Sequence, residues 1–215
     1  MLYYLLFPLH TTYSGFNVFR YITFRAAMAA LTALVISFLV GPWLIRSLIK
    51  MQVKQQIRDD GPASHSTKAG TPTMGGTLII LALSLSTLLL ADIANPYVLL
   101  ALFGTLGFGA VGFADDYLKL TRKNSKGLPP RWKLLGQFAV AFIVALALYY
   151  IPKFSTEIGI PFVKNIHPNL GVLYIPFAMM VIVGASNAVN LTDGLDGLAT
   201  GPVMIAAGTY AIIAY

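Results

Sequence analysis

Three groups of polar residues at the edges of apolar runs could do chemistry together. Asp115-Asp116 closes one uncharged stretch, and Asn187-x-x-Asn190-x-x-Asp193-x-x-Asp196 closes another. The third is Lys68 in Ser66-Thr67-Lys68-Ala69-Gly70-Thr71-Pro72-Thr73-Met74-Gly75-Gly76. Adjacent carboxylates repel and point about 100° apart on a helix, so they serve one purpose only when a cation or proton relieves the repulsion. One then faces a metal and the other a reacting group. The plain alternative is a helix end, with Asp115–Lys119 and Asp116–Lys119 as ordinary surface ion pairs. Asn187, Asn190 and Asp193 share one face if their helix continues to its end, and Asp196 follows among glycines that permit a turn and close approach to a ligand. Such a face binds oxygen-rich ligands and hard cations, or else serves interhelical hydrogen bonding and capping. Lys68 lies in a Gly-, Pro-, Ser- and Thr-rich segment that runs into an apolar helix start, where donors can face an anion, although a plain connecting loop has the same composition. No Walker A pattern occurs. Carboxylates, amides and a lysine at one water–lipid boundary are what a metal-dependent enzyme needs to move a phosphate-linked group onto a lipid.

The elements that must position these groups are membrane helices. Hydrophobic residues make up 57% of the 215 residues and charged residues 11%, against about 25% charged in soluble domains. Mean hydropathy is +0.73. Six uncharged stretches approach the roughly 20 residues that cross a bilayer: Ala26–Ile45, Thr73–Ala91, Pro96–Ala114, Leu134–Ile151, Leu170–Val189 and Leu198–Tyr215. Leu and Ala dominate without strict alternation, which favours helices over barrel strands. The expected fold class is therefore all-α, a polytopic transmembrane helical bundle forming a single integral membrane domain over residues 1–215. The first apolar run lacks a small-residue cleavage pattern and is followed by further spans, so it reads as a retained helix. Glycines at 104, 107, 109 and 112 would allow close helix approach in the third span. Absence of cysteine excludes disulfides and thiolate metal sites.

Basic residues set the orientation. The segments after spans one and three hold Arg46, Lys50, Lys54, Arg58 and Lys68, then Lys119, Arg122, Lys123, Lys126, Arg131 and Lys133, together 11 of the 15 Lys and Arg. By the positive-inside rule these loops are cytoplasmic and the N-terminus is outside. By parity all three polar groups then lie on the cytoplasmic side. The net charge of +7 is accounted for by this topology, so no nucleic-acid partner is expected.

Taken as phrases, Asp60-Gly61-Pro62-x-x-His65, Lys68-x-Gly70-Thr71-Pro72-Thr73-Met74-Gly75-Gly76, Gly112-Phe113-x-Asp115-Asp116-Tyr117 and Asn187-Ala188-Val189-Asn190-Leu191-Thr192-Asp193-Gly194-Leu195-Asp196-Gly197 resemble the phospho-N-acetylmuramoyl-pentapeptide transferases, the MraY family. The aspartate motifs occur across the wider polyprenyl-phosphate sugar-1-phosphate transferase superfamily, while the Thr-Pro-Thr-Met-Gly-Gly phrase points to the muramoyl-peptide branch. The resemblance implies Mg2+-dependent transfer from UDP-N-acetylmuramoyl-pentapeptide to undecaprenyl phosphate at a bacterial inner membrane, giving lipid I and UMP. It gives Asp115, Asp116 and Lys68 as catalytic residues. Asn187, Asn190, Asp196, Thr73, Gly75 and Gly76 would bind substrate, and Asp193 with Asp116 would hold the metal. Membrane lipid is an expected partner, and a homodimer is allowed.

Family members resemble ten-helix proteins with a further acidic residue and a histidine-rich loop, whereas this chain has only His10, His65 and His167 and reaches Tyr215 within its sixth run. The expectation is a C-terminally truncated chain of low activity by itself. Two other functions fit the same residues: a polyprenyl-phosphate transferase using UDP-N-acetylglucosamine, and a cation-coupled transporter with Asp and Asn binding its ions.

Overall fold

The computed structural model describes residues 2–50, 74–122, 127–160, 162–163, 166–193 and 198–214. The described elements are helical, with a single isolated antiparallel bridge between Glu157 and Asn169. The chain divides into two compact units, Met1–Val140 and Ala141–Tyr215.

In the first unit a short helix, α1 (Leu2–Leu6), and two 3-10 turns over Phe7–Thr11 and Ser14–Arg20 precede the long α2 (Ile22–Lys50). At 1.5 Å per residue, the 29 residues of α2 extend about 43 Å, ample for a hydrocarbon core of about 30 Å. Its hydroxyls are satisfied within the helix, Thr32 Oγ1 donating to Met28 O at 2.7 Å and Ser37 Oγ to Ala33 O at 2.8 Å. Lipid offers no partner to such groups, so this back-bonding removes an obstacle to insertion. Phe38 and Leu39 remain 72% and 74% exposed on α2, apolar surface that belongs against acyl chains.

The helix α3 (Gly76–Leu90) packs against α2, and Gly41 permits that approach: a Cβ there would lie 3.2 Å from Leu78 Cδ2. A tight turn leads to α4 (Pro96–Thr121), which is capped by Asn95, whose Oδ1 accepts the Tyr97 N–H at 2.9 Å, with Pro96 in the first helical turn where no donor is needed. Two of the glycines expected to bring helices together do so. A Cβ at Gly109 would meet Ile80 Cδ1 of α3 at 2.5 Å, and one at Gly107 would meet Val140 Cγ1 of α5 (Pro130–Tyr150) at 2.7 Å. Gly112 has no such neighbour, so packing does not explain it.

In the second unit, the described residues around Thr156–Ile158 meet those around Pro168–Leu170, with Ile158 N–H donating to Pro168 O and Leu170 N–H to Thr156 O, both at 3.1 Å. They lead through a 3-10 turn, Gly171–Leu173, into α6 (Tyr174–Thr192), and α7 (Thr200–Ala214) follows. Each of the six expected spans has a helix. Four regions are long and apolar enough to cross a membrane: Ile22–Lys50, Pro96–Thr121, Pro130–Tyr150 and Gly171–Thr192. The helices α3 and α7 are apolar but have 15 residues each, about 22 Å. Where residues 73–91 were expected to be one span, the helix begins at Gly76, after Met74 with φ +70° breaks the regular backbone.

Candidate functional site

The C-terminal end of α4 carries the best-defined polar cluster among the described residues, and all of it belongs to the first unit. Asp115 is buried and both of its oxygens are engaged. Its Oδ1 accepts the backbone N–H of Leu128 at 2.7 Å, and its Oδ2 lies 2.9 Å from Lys119 Nζ and 3.8 Å from Lys133 Nζ. Asp116 is the more open carboxylate, its side chain 38% exposed, with Oδ1 3.0 Å from the same Lys119 Nζ. Helical geometry explains this forked arrangement, because residues three and four apart share a face and a lysine at position 119 reaches both predecessors. The expected ion pairs therefore form. One of them is not a plain surface pair, however, since Asp115 is buried and also meets the Leu128 amide.

Lys133 and the Leu128 amide are participants that sequence reasoning missed. Lys133 counted only as a topological charge, although its place one turn into α5, just after Gly127-Leu128-Pro129-Pro130, hinted that it could turn back towards α4. The Leu128 contact is made by backbone 13 residues away from Asp115 and leaves no signature in residue type.

The second polar group lies in the other unit. Asn187 and Asn190 occupy successive turns of α6, and Asp193 is its C-cap, where φ −81° and ψ 45° leave the helix. The helix thus stays regular to Thr192, as the shared-face expectation requires. Asn187 Nδ2 donates to Val183 O at 2.9 Å, while Asn190 and Asp193 are exposed. Of the remaining candidates, Gly75 and Gly76 stand at the start of α3, with Gly75 as its N-cap. Lys68, Thr73 and Asp196 lie outside the described residues.

Among the described residues no three His, Cys, Asp or Glu side chains converge as a metal cluster. Asp116 and Asp193 are nonetheless hard oxygen donors of the type Mg2+ prefers. That ion commonly takes one or two carboxylates and fills its octahedron with water and substrate phosphate. Asp116 has a side chain 38% exposed and Asp193 is solvent-facing, so each fits such a role.

Comparison with known proteins extends over all these residues. The chain is 56% identical to a phospho-N-acetylmuramoyl-pentapeptide-transferase of Citrifermentans bemidjiense and 57% identical to one of Syntrophus aciditrophicus, over 215 residues in each case. It is 60% identical over 218 residues to a protein of the same name from Desulfatibacillum aliphaticivorans. Each match takes in the whole of this chain, which spans 60% of the length of these relatives. Residues 68–80, from Lys68 into α3, match phospho-N-acetylmuramoyl-pentapeptide-transferase signature 1. Residues 98–215, which include both the Asp115-Asp116 cluster and the Asn187 to Asp196 motif, match glycosyl transferase family 4, and the chain belongs to that family.

Proposed function

We propose that this chain forms part of an enzyme that transfers phospho-N-acetylmuramoyl-pentapeptide from its UDP donor to undecaprenyl phosphate, releasing UMP and giving lipid I. The observation that carries the reading is the 56–60% identity to transferases of that name along the whole chain, through every polar motif. Its setting is a bacterial inner membrane, with the basic segments after α2 and α4 on the cytoplasmic side where the soluble nucleotide donor is found.

The chemistry asks the protein for positioning and charge stabilisation more than for covalent work. A bound Mg2+ would neutralise charge on the donor diphosphate, and Asp116 and Asp193 are the carboxylates assigned to hold it. Lys119 anchors Asp116 through Oδ1, and the carboxylate stays partly open to solvent. Lys68 supplies a further cation beside the anionic substrates, while Asn187, Asn190, Asp196, Thr73, Gly75 and Gly76 are assigned to substrate binding. The apolar faces of the helices keep the lipid acceptor in the bilayer with its phosphate at the boundary.

The test is donor choice, measured with the chain alone and with the chain completed by the part of the Syntrophus relative that it does not match. UMP release with UDP-N-acetylmuramoyl-pentapeptide, little affected by excess UDP-N-acetylglucosamine, supports the proposal. Preference for UDP-N-acetylglucosamine would overturn it in favour of the sister reaction.

A further inference from the structure

Between α5 and α6 the chain makes a short excursion whose base is tied down and whose apex is apolar. At the base, Ile158 N–H donates to Pro168 O and Leu170 N–H to Thr156 O, on either side of the Glu157–Asn169 bridge. Asn169 Oδ1 accepts the Thr156 hydroxyl at 2.6 Å and the Gly171 N–H at 2.9 Å, joining the base to the 3-10 turn ahead of α6. Phe154 packs edge-on against Tyr174, the first residue of α6, with ring centroids 5.2 Å apart. The apex thus has a fixed footing at the start of α6.

The apex departs from ordinary turn chemistry. Val163 N–H donates to Ile160 O at 3.2 Å, closing a four-residue turn whose third position is Phe162, with φ +70°. A positive φ at that position normally goes to Gly or Asn, and a residue with a Cβ is strained there. The Phe162 side chain is also fully exposed, at 106%. Ile160, Val163 and Ile166 are exposed in the same segment, where tips in water carry small or polar residues. Backbone strain and apolar exposure fall together on Phe162, and contact with an apolar medium would offset both.

Lipid is the medium that the surroundings favour. The apolar surface continues from the apex to Val172 and Leu173, both exposed, at the head of the Gly171–Thr192 region that is apolar enough to cross a membrane. Tyr149 and Tyr150 end α5 and Tyr174 starts α6, and tyrosine is enriched where bilayer meets water. Residues 158–173 contain no Asp or Glu, while Lys153 and Lys164 flank the apex in sequence, so an anionic lipid surface attracts this segment.

We propose that this apex is a membrane anchor, inserting Phe162 with Ile160, Val163 and Ile166 into the headgroup region of the leaflet where α5 ends and α6 begins. It fixes the depth of those two helix ends, as interfacial aromatic and basic residues do. The anchor is independent of the proposed transfer reaction.

The chain has no cysteine, so a single introduced one can carry a polarity-sensitive dye. The full chain with dye-labelled Ile166→Cys is placed in nanodiscs of phosphatidylcholine and phosphatidylglycerol, where both membrane faces are open to the solution. Aqueous iodide and a lipid with a nitroxide near its headgroup then serve as quenchers. The expected result is blue-shifted emission, little effect of iodide, and nitroxide quenching several-fold stronger than for a dye at Glu157→Cys, in the exposed base. Phe162→Gly suits the turn and removes the ring, so it should leave Tm at or above the wild-type value while the dye at 166 moves into water. Iodide quenching of the wild-type apex to the level seen at Glu157→Cys would overturn the anchor. A dye shielded from iodide yet untouched by the nitroxide lipid would overturn it too, since a second copy or another protein would then cover the apex. A dye that stays in lipid in Phe162→Gly would remove Phe162 from the anchor and overturn the proposal as stated.

Discussion

Asp116 and Asp193 carry the heaviest catalytic assignment, and both expose a carboxylate where water, metal and substrate can reach it. Replacing either by Asn keeps the shape and removes the charge. In the active form, Asp116→Asn and Asp193→Asn should each lower turnover by about 100-fold or more, the scale expected when an electrostatic stabiliser of the reaction is lost. Membrane insertion and detergent-solubilised yield should not change, and near-normal turnover in either variant would remove that residue from the catalytic set. The sequence made much of this cluster legible: Lys119 stands three and four residues beyond the two aspartates, so helical periodicity alone puts it between them. Burial of Asp115 was not legible, because it depends on a turn 13 residues away that meets it through a backbone amide. Lys133 escaped for the same reason. Its role depends on how α5 leaves that turn, which no local pattern encodes.

Helices show a similar division between what periodicity reveals and what tertiary contact adds. Uncharged runs located α2, α5 and α6 to within about five residues at each end, and the start of α4, which runs on past Ala114 to Thr121 because its last two turns are charged and polar. The glycines of α4 announced close packing, but only contact with Ile80 and Val140 shows which of them serve it. Gly109→Val should accordingly destabilise the first unit by about 1–3 kcal/mol through overpacking against α3, seen as a lower Tm in detergent. Gly112→Ala, with open space at its Cβ, should be neutral or slightly stabilising in the same assay. At the other end of α4, α1 is fastened to the α3–α4 turn by a hydrogen bond from the Tyr4 hydroxyl to Asp92 Oδ1, and Asp92 also accepts the Ala94 N–H at 3.0 Å. The Tyr4 bond holds the Asp92 carboxyl below the usual carboxylate range and pushes the Tyr4 hydroxyl above its ordinary value. A depressed carboxylate contributes stability above its unfolded pKa of about 3.9 that is lost as pH falls through the folded value. A raised tyrosine contributes below its unfolded pKa of about 10 and loses the contribution as pH rises through the folded one. Protection of the Ala94 amide, taken relative to its intrinsic base-catalysed exchange, should therefore be greatest between those limits and fall on either side. Tyr4→Phe should abolish the alkaline change and weaken the acid one. Nothing in the sequence pairs Tyr4 with Asp92, which are 88 residues apart.

Across the whole molecule, fold class and family were readable because both are written in extended features. Membrane residence follows from apolar runs many turns long, and the family from motif phrases within a stretch that matches the relatives at 56–60% identity. Positions of individual groups relative to one another are less readable, as they depend on loop conformations such as the turn at Gly127, where φ is +53°. The account joins three features: an apolar helical frame, a partly open carboxylate held by a lysine, and membership of glycosyl transferase family 4, on which the proposed reaction rests. The most direct measurement is Mg2+-dependent UMP release from UDP-N-acetylmuramoyl-pentapeptide with undecaprenyl phosphate in detergent, for the chain alone and completed by a relative's remaining residues. The account predicts release in the completed form that requires Mg2+ and the lipid phosphate together and disappears in Asp116→Asn. Release that persists without the lipid phosphate or with Asp116→Asn would contradict it, as would no release from the completed wild-type protein.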